Sequence, residues 1–351
     1  MCITHKLRSR REVMKLAALS IPALALGTRV GETLAASGGA GTPSLECSSA
    51  RPITARPPAL HVGDVEITRI VETEGPMMTL SSFFSEGDSG AKLSDAAVEA
   101  HRSWLDRWAL ASDSTMIFSI QSLLVRTPRH LILVDTCLGA GAQEGARSDD
   151  LSAVPYFQKL RAAGVKPEDV DFVLCTHLHL DHTGWNIYRR DGKLVPTFPN
   201  AKYVFARREW DYWGQRKEGD WDFGSGAITF SVRPLVDARR VLLVEPPYQL
   251  DDEASIEPIY GHTPGQVSLR IASAGRSAIL AGDLMHHPVQ CAELQWESIP
   301  TVDRKLAIAT RRKFLEAHAG SDVLVIPAHF PTPGVGHIVP HGATWRFERA
   351  A

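Results

Sequence analysis

The sequence predicts an α/β protein, and three observations carry that expectation. Short apolar runs of strand length alternate with amphipathic helical stretches from about residue 59 onward. The 351 residues, 44% of them hydrophobic, suffice for a large core built as one α/β domain or two smaller ones. One apolar run, Asp171-Phe172-Val173-Leu174-Cys175, opens directly into Thr176-His177-Leu178-His179-Leu180-Asp181-His182-Thr183-Gly184, the densest group of metal-binding side chains in the chain.

Charge and cysteine content narrow the function classes. A formal net charge of −2 gives no electrostatic footprint for nucleic acid. The five cysteines, Cys2, Cys47, Cys137, Cys175 and Cys291, form no C-x-x-C pair, which argues against a disulfide scaffold or a zinc ribbon. Cys137 and Cys175 end apolar runs and read as small buried residues.

In chain order, Ser9-Arg10-Arg11-Glu12-Val13-Met14-Lys15 precedes a modestly apolar stretch, 16–26, too short for a permanent membrane span. Paired arginines, then an apolar residue and a lysine, before an alanine-rich segment resemble a twin-arginine export signal. The expectation is a signal peptide over 1–36, a flexible Gly/Ser/Pro-rich leader over 37–58 and the folded domain over 59–351. The mature chain is then periplasmic or secreted, with no permanent membrane span.

From His61 the pattern turns to β. Residues 62–72 alternate apolar and polar, and 117–126 and 131–134 flank the turn Thr127-Pro128-Arg129-His130, which predicts a hairpin. Between them Ser94 can cap a helix over 95–110 that sets Trp104 and Trp108 on one face, read as core packing and as a candidate homodimer interface. Phe83 and Phe84 fall in a Gly/Ser-rich loop, where they either edge a pocket or anchor the loop. Further on, a helix over 155–163 leads into the metal strand, and a strand at 203–206 leads into a helix carrying Trp210 and Trp213. Strands at 241–244, 256–260, 267–272 and 277–280 precede an amphipathic helix over 302–318 and a strand at 323–326.

Extended backbone at 177–179 lets His177 and His179 converge while Leu178 and Leu180 turn to the core; Asp181 and His182 follow where the chain bends toward a helix. That geometry suits two adjacent metals, each taking two ligands from one loop. Three later segments repeat the arrangement, each an apolar strand ending in a side chain able to ligate: His262 before Thr263-Pro264-Gly265, Asp283 after Gly282, and His329 after Pro327-Ala328.

The series His177-x-His179-x-Asp181-His182, Gly261-His262-Thr263-Pro264-Gly265, Gly282-Asp283 and His329 resembles the metallo-β-lactamase superfamily over essentially the whole mature chain. The resemblance implies an αββα sandwich of two facing mixed β-sheets with outer helices and the metals at one edge. It implies that His177, His179 and His262 hold one metal, that Asp181, His182 and His329 hold the other, and that Asp283 bridges them. The tail from Ala328-His329-Phe330 to Trp345-Arg346-Phe347 resembles the branch with methyl parathion hydrolase and secreted lactonases and esterases.

All seven donors are nitrogen or oxygen, which suits two divalent ions, zinc first, with manganese, cobalt or iron as alternatives. Two metals ~3.5 to 4 Å apart can lower the pKa of a shared water to about 7, giving a bridging hydroxide as the expected nucleophile. Asp181 is the candidate proton shuttle. His286 stands three residues after Asp283, where related homoserine-lactone lactonases carry a tyrosine that touches the substrate carbonyl; His286 or His287 could replace that donor. Asp135 is a candidate supporting carboxylate, and Trp185 reads as core. The commonest β-lactamases would place cysteine where Asp283 stands, and a hydrolytic glyoxalase would need an added helical domain. The expected function is therefore opening of lactones or cleavage of carboxylic esters. A phosphotriesterase is the alternative, and a non-catalytic metal-binding protein on the same fold is the alternative of another class. The expected partner is a small-molecule ester, lactone or phosphotriester.

Overall fold

A computed structural model describes residues 56–87, 89–105, 108–139, 150–215 and 227–350. The export signal and nearly all of the leader lie outside these residues. Within them, two seven-stranded sheets are laid down one after the other. The first comprises β1 (Ala59–Val62), β2 (Val65–Thr79), β3 (Thr115–Arg126), β4 (Leu131–Val134), β5 (Phe172–Leu174), β6 (Lys202–Ala206) and β7 (Val241–Val244). The second comprises β8 (Tyr248–Asp251), β9 (Ala254–Pro258), β10 (Val267–Ser273), β11 (Arg276–Leu280), β12 (Leu324–Ile326), β13 (Gly336–His341) and β14 (Thr344–Arg349). In both, spatial order follows chain order. Hairpins make most of the antiparallel pairs, β2 and β3 pair antiparallel across the long segment 80–114, and β4–β5–β6–β7 and β11–β12 run parallel. Parallel neighbours need long crossovers, and here these include α1 (Pro155–Ala162), α2 (Arg207–Trp213) and α3 (Arg304–His318).

Three apolar clusters account for the layering. Ile67, Val125, Ile132, Leu174 and Val204 of the first sheet meet Ile256, Leu269, Leu280 and Ile326 of the second in one dry interface. The outer face of the first sheet, with Val173 and Tyr203, buries Leu160 of α1 and Trp213 of α2. The outer face of the second, with Ile279 and Val325, buries Phe314 and Leu315 of α3. The result is the αββα sandwich, each sheet covered on both faces as parallel strands require.

Several sequence expectations are adjusted. The predicted helix over 95–110 starts where expected, with the Ser94 side chain accepting from Ala97 N, but it comes as two turns, Asp95–Glu99 and Arg102–Leu105. Between them His101 turns to Glu293, 2.9 Å away, and to Trp296. Trp104 and Trp108 are both half-buried: Trp104 lies beneath Arg346, and Trp108 stacks on Phe347. Phe83 and Phe84 are not in a loop; they end a short helix, Leu80–Phe83, and begin a strand, Phe84–Glu86. The ligand candidates stand in loops three or four residues past their strands rather than at the strand ends: His177 after Leu174, His262 after Pro258, Asp283 after Leu280, His329 after Ile326. Three of these strands belong to parallel pairs, whose carboxyl ends are where α/β sheets place ligands. No helix among the described residues is long and apolar enough to cross a membrane.

Candidate metal centre

The loop after β5 begins extended and closes into one helical turn, Leu180–Thr183. His177 and His179 therefore fall on one side, with Nε2 and Nδ1 3.0 Å apart, while Leu178 is fully buried in the apolar layer between the first sheet and its helices. The loop after β9 brings His262 Nε2 to 3.1 Å from His179 Nδ1. Asp181, His182 and His329 form a second group, with Asp181 Oδ2 3.7 Å from His182 Nε2 and 3.6 Å from His329 Nε2. Asp283 lies between the two groups and divides its oxygens. Oδ2 is 3.4 Å from His262 Nε2 and 3.7 Å from His177 Nε2, and Oδ1 is 3.4 Å from His182 Nε2 and 3.0 Å from His329 Nε2. The structure thus brings all seven sequence-predicted ligands into one cluster, in the two sets that the family resemblance implies.

The donors fit divalent cations. Three imidazole nitrogens facing one another at 3.0 and 3.1 Å share at most one proton per pair, whereas a cation satisfies all three lone pairs. His182 Nε2, His329 Nε2 and Asp283 Oδ1 are buried without a hydrogen bond of acceptable geometry. Each such atom costs about 1–3 kcal/mol unless something pairs with it. Burial keeps His177 and His262 well below the usual imidazole pKa and His179 at about 4, so all three stay neutral, the form that ligates. Around His182 and His329 burial also opposes charge, but the neighbouring carboxylates, Asp283 foremost, outweigh it and raise both. For Asp283 burial pulls upward, and His329, His182, His286 and His177 together hold it well below the carboxylate range. The site therefore attracts positive charge, the demand a divalent ion meets.

Groups behind the ligands fix their orientation. Asp135, in left-handed conformation at φ 59°, places Oδ2 2.8 Å from His182 Nδ1 and accepts from Thr176 N through Oδ1. His329 Nδ1 donates to Ser119 O at 2.9 Å. Glu209 on α2 ties two ligand loops together: Oε1 accepts from Leu178 N and Trp213 Nε1, and Oε2 from Thr263 Oγ1 and Gly265 N. Gly265 permits this, since a Cβ there would lie 2.2 Å from Glu209 N. Gln266, with its amide oxygen toward the next loop, accepts from Asp283 N and Leu284 N.

Aromatic rings wall the cluster. Phe118 stacks on His329 at 4.2 Å, Trp213 meets His179 at 5.4 Å, and Phe83 meets His286 at 5.3 Å. Of the aromatic pairs singled out in the sequence, Phe83 and Trp213 touch the site; Phe84 is buried farther back, and Trp210 packs near Arg233. His286 faces the cluster with Nε2 3.1 Å from Asp283 Oδ2, whereas His287 points away and donates to Ala109 O. Trp185 is core, donating to Glu72 and stacking on Tyr156.

The profile of the metallo-β-lactamase superfamily matches residues 115–329, which carry every residue of this cluster. The chain belongs to the metallo-β-lactamase superfamily. Within it, the chain is 28% identical over 181 residues to the N-acyl homoserine lactonase AttM of Rhizobium radiobacter, covering 49% of this chain and 63% of that protein. It is 31% identical over 117 residues to the protein of the same name from Azorhizobium caulinodans, covering 32% and 40%. These matches thus span less than two thirds of either relative. Two solved structures share the superfamily fold. The hydrolase AbOPH aligns at a TM-score of 0.69 with 24% identity, over 85% of this chain and 98% of that one. The dizinc quorum-quenching lactonase AidC aligns at 0.67 with 22% identity, over 84% and 97%.

Sequence reasoning missed Glu209, Gln266 and Phe118. Glu209 reads as a surface residue in Arg207-Arg208-Glu209-Trp210, and only the fold reveals that its partners lie on other loops.

Proposed function

We propose that the chain is a dinuclear metal-dependent hydrolase, zinc the expected ion, that opens lactones. The observation that carries this reading is the division of the Asp283 carboxylate between two triads of nitrogen and oxygen donors. Cations held by these groups would supply Lewis acidity toward a carbonyl oxygen and a water acidified to a pKa of about 7. The chain's own residues do the rest. Asp181 is the most open of the seven, its side chain 27% exposed. It is therefore placed to take the proton of the attacking water and pass it to the alkoxide released when the ring C–O bond breaks. His286 is buried with neither ring nitrogen hydrogen-bonded, so it can donate to the substrate carbonyl. Phe83, Phe118 and Trp213 exclude water and receive the apolar part of the substrate.

The lactonase names of the relatives favour lactones over simple esters. The phosphotriester alternative is unsupported. A non-catalytic metal-binding role has no use for an open carboxylate beside an apolar wall. The test is a panel of acylated lactones, aryl esters and phosphotriesters offered to the zinc-loaded protein. Ring opening with kcat/KM at least about tenfold above the best aryl ester is expected, a difference of about 1.4 kcal/mol in barrier. Turnover of esters or phosphotriesters with intact lactones would reject the assignment.

A further inference from the structure

The proton on His262 can be assigned from the groups behind it. His262 Nδ1 lies 3.1 Å from Thr301 Oγ1, and the Thr301 hydroxyl donates to Glu297 Oε1 at 2.9 Å. A carboxylate only accepts, so the hydroxyl proton points at Glu297, and the Thr301 lone pairs are left to accept from Ser298 Oγ at 2.9 Å and from His262. Nδ1 must then carry the ring proton. Nε2, which faces His179 and Asp283, is left with its lone pair.

The far end of this chain is anchored. Glu297 Oε2 accepts from the Arg311 guanidinium at 2.8 Å, and both residues are 1% exposed. Arg311, on α3, also donates to the carbonyls of Leu284, Leu294 and Trp296. Burial opposes the charge on Glu297, but Arg311, His286 and the Thr301 hydroxyl together hold its carboxyl below the usual carboxylate range. The same segment grips the backbone of the ligand loop, Val302 N donating to His262 O at 2.9 Å and Asp303 N to Gly261 O at 3.0 Å. Glycine is required at 261, with φ 138° and a Cβ that would lie 2.3 Å from Ala307 N of α3. Ring and backbone of His262 are thus held by consecutive residues.

We propose that Thr301 is a positioning residue for the first metal site: it relays the charge of Glu297 to His262, fixes the Nδ1–H tautomer and strengthens Nε2 as a ligand. A partner of this kind behind a ligating imidazole typically accounts for 10–100-fold in metal affinity. The inference rests on the two-cation reading above. It assigns to the His177, His179 and His262 site a dependence on the Thr301 hydroxyl, whereas His182 of the other site is backed directly by the Asp135 carboxylate.

Chelator competition on the zinc-loaded full chain tests it. Thr301→Val keeps the shape and removes the hydroxyl; Thr301→Ser keeps the hydroxyl and removes a methyl group. Thr301→Val is expected to surrender one of its two zinc ions at about 10–100-fold lower chelator concentration, while Thr301→Ser follows the wild type. Should Thr301→Val fail to fold, Glu297→Gln, close in shape and uncharged, is expected to weaken the same ion. Zinc retention in the variants equal to wild type, or Thr301→Ser as weak as Thr301→Val, overturns the relay. A wild-type chain that binds no zinc removes the two-cation reading, and the relay with it.

Discussion

His286 and His287 are adjacent, both buried, and indistinguishable in the sequence. The structure separates them by their hydrogen bonds. His287 Nε2 donates to Ala109 O at 2.8 Å and Nδ1 accepts from Val289 N, so burial has been fully compensated and the ring serves the fold. His286 lies 2% exposed between Phe83, His262 and His329, with neither nitrogen satisfied. Nε2 stands 3.1 Å from Asp283 Oδ2 without a well-aligned hydrogen bond, so the ring remains able to take a further partner. Replacing it tests whether that partner is the substrate. His286→Ala is expected to lower kcat/KM on lactones about 10–100-fold, or roughly 1.4–2.7 kcal/mol, with two zinc ions retained. Loss of a zinc ion instead would make His286 a ligand, since it also stands within reach of His262 and Asp283.

At the scale of elements, the short helix α2 matters beyond its seven residues. It follows β6 directly, packs Trp213 into the core and presents Glu209 to the two loops that carry His177, His179 and His262. Four donors converge on one buried carboxylate, and each left unsatisfied costs about 1–3 kcal/mol. Glu209→Ala is therefore expected to lower unfolding free energy by at least about 3 kcal/mol by denaturant titration, and to loosen zinc at the first triad. A variant as stable as wild type, with both ions held equally tightly, would show that the two loops keep their register without it. This latch was invisible in the sequence because its partners are 31, 54 and 56 residues away. The metal loop was legible for the opposite reason: four of its donors fall within six residues, so spacing alone reveals their convergence.

Across the whole molecule, the alternation of apolar runs located most strands of both sheets within a few residues, because strands buried on both faces are near-continuous in Val, Ile and Leu. The last hairpin, β13–β14, escaped notice. Its alternation is interrupted by Pro340 and His341, and it packs on the chain's interior through Ile338 and Phe347. The predicted helix over 95–110 failed because local periodicity carries no information about His101 reaching across to Glu293, 192 residues away. What the sequence conveyed well was the order of the ligands and, behind them, Asp135; what it could not convey was the pair of buried acids, Glu209 and Glu297, that completes their support. The sandwich brings ligands and acids together by placing the segments after β4, β5, β6, β9, β11 and β12 at one edge.

The central claim is that Asp283 joins two cation sites in one hydrolytic centre. Metal content of the purified protein, measured together with lactone hydrolysis for wild type and Asp283→Ala, tests it most directly. Two zinc ions per wild-type chain are expected, with Asp283→Ala holding fewer and losing at least about 100-fold in kcat/KM, or about 2.7 kcal/mol. Undiminished hydrolysis by Asp283→Ala, or by wild type stripped of metal, would contradict the account.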